Sequence, residues 1–135
     1  MMRFPRSFSD QELAGALAVV KRWLLEEVDA PFGFIADIQR PLSVSSVQRK
    51  MMAEAEATYA DVDLRYNAGQ AVVVPTGLAR GIATAVYWVS PPVYPVRTFA
   101  EVSAAKAWVA EELAHGIADF PSGRHWSSRK GWTPR

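Results

Sequence analysis

Short apolar runs alternate with amphipathic helices along this chain, and that alternation limits the sheets it can build. "PFGFIADI" (31–38) is a short apolar stretch behind a proline, and "AVVVP" (71–75) is rich in β-branched residues and closed by Pro75. "YPVRTF" (94–99) is a third run of strand character, and Met2–Phe4 supplies a short candidate before them all. Runs of this length with such composition read as buried strands. A helical pattern follows or separates each of them. Parallel neighbours cannot be joined by a tight hairpin and need crossover connections, so the order predicts a mainly parallel sheet.

The helices are legible from their spacing. In "FSDQELAGALAVVKRWLLEEV" (8–28), Ser9 and Glu12 have capping-box spacing, and Leu13, Leu17, Val20, Leu24 and Val28 share one face. A second helix is expected over 44–59, with Val44, Val47, Met51, Ala55 and Tyr59 on its apolar face and Gln48, Arg49, Lys50 and Glu54 elsewhere. "YADVDLRYNAGQ" (59–70) reads as a polar connection with an Asn-Ala-Gly turn signal. A third helix, over "TGLARGIATAVYWVS" (76–90), carries Leu78, Ile82, Val86 and Val89 and is stopped by Pro91-Pro92. The last, "AEVSAAKAWVAEELAHG" (100–116), has Val102, Ala105, Val109 and Leu113 on one face and Gly116 placed as a C-terminal cap. The predicted fold is a single small α/β domain. It has a short mixed or mainly parallel sheet of three to four strands and about four helices.

At 135 residues the chain has the length of one domain with a real core. It contains no cysteine, which excludes disulfides, thiolate metal sites and cysteine nucleophiles. No apolar run reaches membrane-spanning length, and "MMRFPRSFSDQEL" lacks the apolar stretch of a secretory leader, so a cytoplasmic location is expected. Net charge is +1 but uneven: 4 of the 15 basic residues and none of the 14 acidic ones fall in "SGRHWSSRKGWTPR" (122–135). The expected division is a domain over 1–118 and a basic, Trp-containing tail over 119–135. Trp126, Arg129, Lys130 and Trp132 are the candidate anchors of that tail. It could stack on nucleic acid or dock on an acidic surface of a partner or of the domain itself. Four cations in a near-neutral chain argue against nucleic acid, and docking is the preferred expectation.

Landmarks of a known family recur in this order. "FIADI" ends a strand in an aspartate, a serine-bearing turn leads into a helix, and "AVVVP", "VRTF" and "AAKAW" follow in the later half. Over about residues 8–115 this resembles the STAS (anti-sigma-factor antagonist-like) domains, most closely their SpoIIAA-like branch. The usual opening β-hairpin is missing, which would leave a sheet edge open to pairing with a second copy. The turn reads "PLSVSSV" instead of Asp-Ser-Ser-Gly. The resemblance implies a non-catalytic regulatory or adaptor module that binds another protein and is switched by serine phosphorylation.

Ser43, Ser45 and Ser46, with Asp37 and Arg40, form the candidate phosphorylation or partner face. The simpler reading is capping: Ser43 can cap toward Val44–Ser46, and Ser45 with Gln48 makes a weaker capping box. The same helix start favours a phosphate. Asp37 either lies at the strand edge where α/β sheets bind ligands or organises the next turn. Tyr87, Trp88 and Tyr94, with Arg97, are core filling, an interface, or the wall of a pocket for a small hydrophobic molecule or lipid.

No catalytic constellation is evident. His115 and His125 lack metal-ligand spacing, and "GLARG" (77–81) lacks the ending of a phosphate loop. The sequence therefore points away from an enzyme and calls for no cofactor and no metal.

Overall fold

The computed structural model describes residues 1–38, 43–77 and 92–120. Its elements run β1 (Met2–Arg3), α1 (Asp10–Arg22) continuing into a π-turn (Trp23–Glu27), β2 (Phe32–Asp37), α2 (Ser46–Tyr66), β3 (Asn67–Val73), β4 (Val96–Phe99) and α3 (Val102–Asp119). The four strands form one sheet in the order β1-β2-β3-β4, and every pairing is parallel. Three helices belong to the described residues. The helix expected over 76–90 falls almost wholly outside them, as do Arg40 and the tail beyond Phe120.

The sheet is covered on both faces, as parallel sheets are. On one face α3 lies along β2 and β3, and Ile35, Ala71 and Val73 pack against Ala105 and Val109. Phe99, Val102 and Trp108 extend this cluster. The fit depends on two glycines. A Cβ on Gly33 would run into Val109 Cγ1, and one on Gly69 would sit 3.2 Å from Trp108 Cη2. The small residues let the helix backbone approach the sheet closely.

On the opposite face, α1 and α2 pack against each other. Val72, Val74 and Val96 form a second cluster there, with Ile38 and Tyr94 against it. The period-2 alternation of β2 and β3 accounts for this division: odd-numbered residues from Gly33 and Gly69 onward meet α3, and even-numbered ones turn to the other side.

The first helix keeps its expected face, with Leu13 and Leu24 buried and Leu17, Val20 and Val28 half-buried. The Ser9–Glu12 capping box is complete: Glu12 N–H donates to Ser9 Oγ at 3.2 Å and Ser9 N–H to Glu12 Oε2 at 2.7 Å. That pairing with the Ser9 backbone, and then with its hydroxyl, holds the Glu12 carboxyl below its ordinary range.

The second helix departs from expectation in three ways. It begins one residue after Ser45, whose reciprocal box with Gln48 is the cap, so Ser45 and not Ser43 starts the helix. It runs on to Tyr66 and feeds directly into β3, so there is no turn at Asn67-Ala68-Gly69 and β3 begins four residues earlier than expected. A kink at Tyr59 (φ −122°, ψ 16°) accompanies this extension, next to a Thr58 hydroxyl donating to Ala55 O at 2.6 Å.

Its buried face is also rotated. Val47 is 56% exposed whereas Gln48 is 6% exposed. Gln48 is buried because its amide is fully used, donating through Nε2 to Phe8 O (2.9 Å) and Asp10 Oδ1 (3.0 Å). These bonds tie the start of α2 to the start of α1. In α3, Gly116 is a buried interior position and not a cap, and Phe120 N–H donates to Gly116 O.

Candidate functional site

A cavity of about 160 Å³ lies between the α1–α2 pair and the sheet. Its floor is Phe32, Phe34 and Ala36 of β2, the even-numbered positions left over once Ile35 and Asp37 have turned to the other side. Its roof is the apolar face of α1, through Leu13, Ala16, Leu17 and Val20, continued by Trp23 and Leu24 of the π-turn. Trp23 meets Phe32 edge-on at 5.1 Å between ring centroids. Met2, Phe4 and Tyr94 complete the apolar lining.

The wall supplied by α2 is different in kind. Met52, Glu56, Tyr59 and Asp63 follow at spacings of four, three and four and therefore share one stripe. Three of the four are polar, so the stripe sets two carboxyl groups and a phenol against an apolar chamber. Asn67 and Gln70 of β3 also line the cavity.

A β-bulge puts Asn67 there. Phe32 pairs with Asn67 but Gly33 pairs with Gly69, so Ala68 is an extra residue in β3. Without the slip, Asn67 would share the α3-facing parity of Gly69. Asn67 Nδ2 donates to Asp63 Oδ1 at 3.0 Å, and its Oδ1 accepts from Gly69 N–H at 3.1 Å. Tyr94 donates its phenolic hydrogen to Gln70 Oε1 at 3.1 Å.

Burial dominates the titration of this end. Asp63 is 9% exposed, and desolvation pushes its carboxyl up to about 6, with the Asn67 hydrogen bond opposing and the Glu56 charge adding to the rise. Glu56 is raised by desolvation as well, although its side chain as a whole is exposed. Tyr59 is pushed up to about 12 by burial first, then by the charges of Glu56 and Asp63.

The residues singled out in the sequence are not assembled into one site. Tyr94 lines the cavity, but Tyr87 and Trp88 lie outside the described residues. Arg97 is exposed, with its guanidinium 5.4 Å from the Phe99 ring centroid, and does not line the cavity. Asp37 is 0% exposed at the C-terminal end of β2, where Arg3 Nε donates to its Oδ2 at 2.9 Å and its backbone O accepts from Phe4 N–H. That geometry ties β1 to the sheet.

Of the serines, Ser43 is exposed, with its N–H directed at Arg6 O. Ser45 is the cap, and Ser46 is exposed at the first helical position. Trp126, Arg129, Lys130 and Trp132 lie outside the described residues. Among the described residues no helix is long and apolar enough to cross a membrane, and no three metal-ligating side chains gather.

Glu56, Asp63, Asn67 and Gln70 were missed by the sequence reading. Asp63, Asn67 and Gln70 lie in the stretch whose composition reads as a polar connection, and Glu56 lies off the expected apolar face of the second helix. The signal was the i, i+4, i+7, i+11 recurrence of Met52, Glu56, Tyr59 and Asp63, visible only if the helix is carried past Tyr59.

Comparison with known proteins found no matching family model, no matching curated protein and no matching solved structure.

Proposed function

We propose that this protein is a non-catalytic ligand-binding domain whose ligand is a small, mainly apolar molecule held between α1–α2 and the sheet. The observation that carries the reading is the cavity itself. It is walled by Trp23, Phe32, Phe34 and Tyr94, and Glu56, Tyr59, Asp63, Asn67 and Gln70 add a few polar groups to the lining. Small-molecule sites have this make-up of apolar walls and a few placed polar groups. A dry cavity of roughly 150 Å³ admits a benzene-sized guest, so about one ring is the scale that fits.

The test is a titration of the full chain with toluene, benzyl alcohol and benzylamine, followed by the ring resonances of Trp23 and Phe34. At least one of the three should bind, and Ala16→Leu or Ala36→Val, which fill the chamber from opposite walls, should abolish it. Absence of binding by all three, or binding that survives both substitutions, would overturn the reading.

The phosphorylation-switched, protein-binding module implied by the STAS resemblance is a second proposal. Ser46 supports it, being exposed in the first turn of α2, where the helix dipole favours a phosphate. Mass spectrometry of the protein from its own cells, with Ser46 unmodified throughout, would remove it.

A further inference from the structure

We infer that the cavity selects a ligand bearing a protonated amine, held at the α2 end by Glu56, Tyr59 and Asp63 while its apolar body lies against Trp23, Phe32 and Phe34. This rests on the ligand-binding reading above and specifies the chemical class of the ligand.

The carboxylates give the charge but would not by themselves make a site. The independent observation is Tyr59. Its ring lines the cavity, the residue is 7% exposed, and among the described residues its hydroxyl has no hydrogen-bond partner. Buried hydroxyls are ordinarily paired, so an unpaired one on a cavity wall marks a place for a missing partner. Glu56 and Asp63 lie about one turn to either side of Tyr59 on the same cavity-lining stripe of α2, so the hydroxyl is flanked by two carboxyl groups on that wall.

Asp63 repeats the pattern. Asn67 occupies its Oδ1, and among the described residues no hydrogen bond reaches Oδ2. What fits this end is a donor-rich group. A primary ammonium offers three hydrogens and no acceptor, which matches a carboxylate oxygen, a second carboxylate and a phenolic oxygen.

Charge excludes the opposite class. No lysine, arginine or histidine lines the cavity among the described residues, so a carboxylate or phosphate ligand would meet only like charge. A metal ion is a poor occupant, because among the described residues no three metal-ligating side chains come together. An organic cation needs fewer ligands and gains from the apolar rings, since cations are attracted to the faces of Trp and Phe.

The binding should depend on pH through Asp63. On α2 it is faced by Glu56 and Tyr59, and from β3 by the uncharged Asn67 and Gln70. α1, its π-turn, β1 and β2 contribute no titratable group to the lining, and Tyr94 is the remaining phenol. Desolvation raises the Asp63 carboxyl, so acidification neutralises it within an accessible range and removes the charge that an ammonium needs.

The experiment is calorimetric titration of the full chain at pH 7.5 with benzylamine, benzyl alcohol and toluene, three probes of nearly equal shape. Benzylamine should bind at least tenfold more tightly than benzyl alcohol or toluene, and this preference should shrink at pH 5. Tyr59→Phe and Asp63→Asn should each reduce the preference for benzylamine over toluene to threefold or less. Tyr59→Phe removes an unpaired hydroxyl and so keeps the test informative should Asp63→Asn perturb the fold. Toluene or benzyl alcohol binding as tightly as benzylamine would overturn the amine inference and leave the ligand-binding reading standing. A benzylamine preference that persists in both variants would overturn the assignment of the amine to this end. Failure of all three probes would remove the ligand-binding reading and the inference with it.

Discussion

Asn67 Nδ2 donates to Asp63 Oδ1 at 3.0 Å across the junction where α2 passes directly into β3. The same Asn67 side chain accepts from Gly69 N–H, so one amide secures the end of a helix, a bulge in a strand and a buried carboxyl. That arrangement adds polar groups to the cavity wall, and the burial of Asp63, which the Asn67 hydrogen bond offsets only in part, is unfavourable to the fold whenever its carboxyl is charged.

Asp63→Asn should therefore stabilise the protein at neutral pH. Its carboxyl titrates at about 6 in the folded chain against an ordinary 3.8, so the unfolded chain loses this proton first as pH rises. The contribution of Asp63 falls between about pH 4 and pH 6, and above that the full cost of about 3 kcal/mol is present. Urea unfolding at pH 7.5 should show the variant more stable than the parent, with the difference shrinking toward zero at pH 4. A variant less stable than the parent at pH 7.5 would contradict the burial of a charged Asp63.

Gln48→Ala should cost about 1–3 kcal/mol, because it removes half of the Ser45 capping box and strands Phe8 O and Asp10 at the α1–α2 contact. Ser45→Ala should cost about 1 kcal/mol by loss of the cap alone. Ser46→Asp should be neutral or slightly stabilising, since an acid in the first turn suits the helix dipole. Thermal denaturation of the three variants ranks them directly.

Gly33→Ala should destabilise by about 1–3 kcal/mol, the usual cost of overpacking, because Val109 stands where the new methyl must go. Adding Val109→Ala should restore part of the loss, and a double-mutant cycle measures how much. A freely tolerated Gly33→Ala would mean that α3 does not lie this close to β2.

Ala36→Val should raise stability by about 1 kcal/mol, since it adds two methyl groups facing an existing cavity from the penultimate position of β2. Equilibrium unfolding checks it. A loss of stability of similar size would show that the chamber has no room above Ala36.

The architecture was legible in the sequence because it depends on patterns that repeat locally. The alternation of β-branched runs with helical periodicity predicts a mixed or mainly parallel sheet, and β1 through β4 pair in parallel throughout. The spacing of Leu13, Leu17, Val20 and Leu24, and of Val102, Ala105 and Val109, identifies the buried faces of α1 and α3. Ser9 and Glu12 mark a cap that depends only on neighbours in sequence.

What the tertiary structure decided is where a polar residue is tolerated inside. Gln48 is buried against the pattern of its helix because Phe8 O and Asp10, some forty residues earlier, accept its hydrogens. Helix α2 runs through Tyr59 to Tyr66, where Asp63 is buried and bonded to Asn67 of β3, against a composition suited to a loop. The α2 stripe that lines the cavity carries Glu56, Tyr59 and Asp63, so polar groups face a largely apolar space. Hydrophobic periodicity reports how each segment meets water. Which buried polar groups find partners, and which are left facing a space, depends on atoms that only the folded chain brings together.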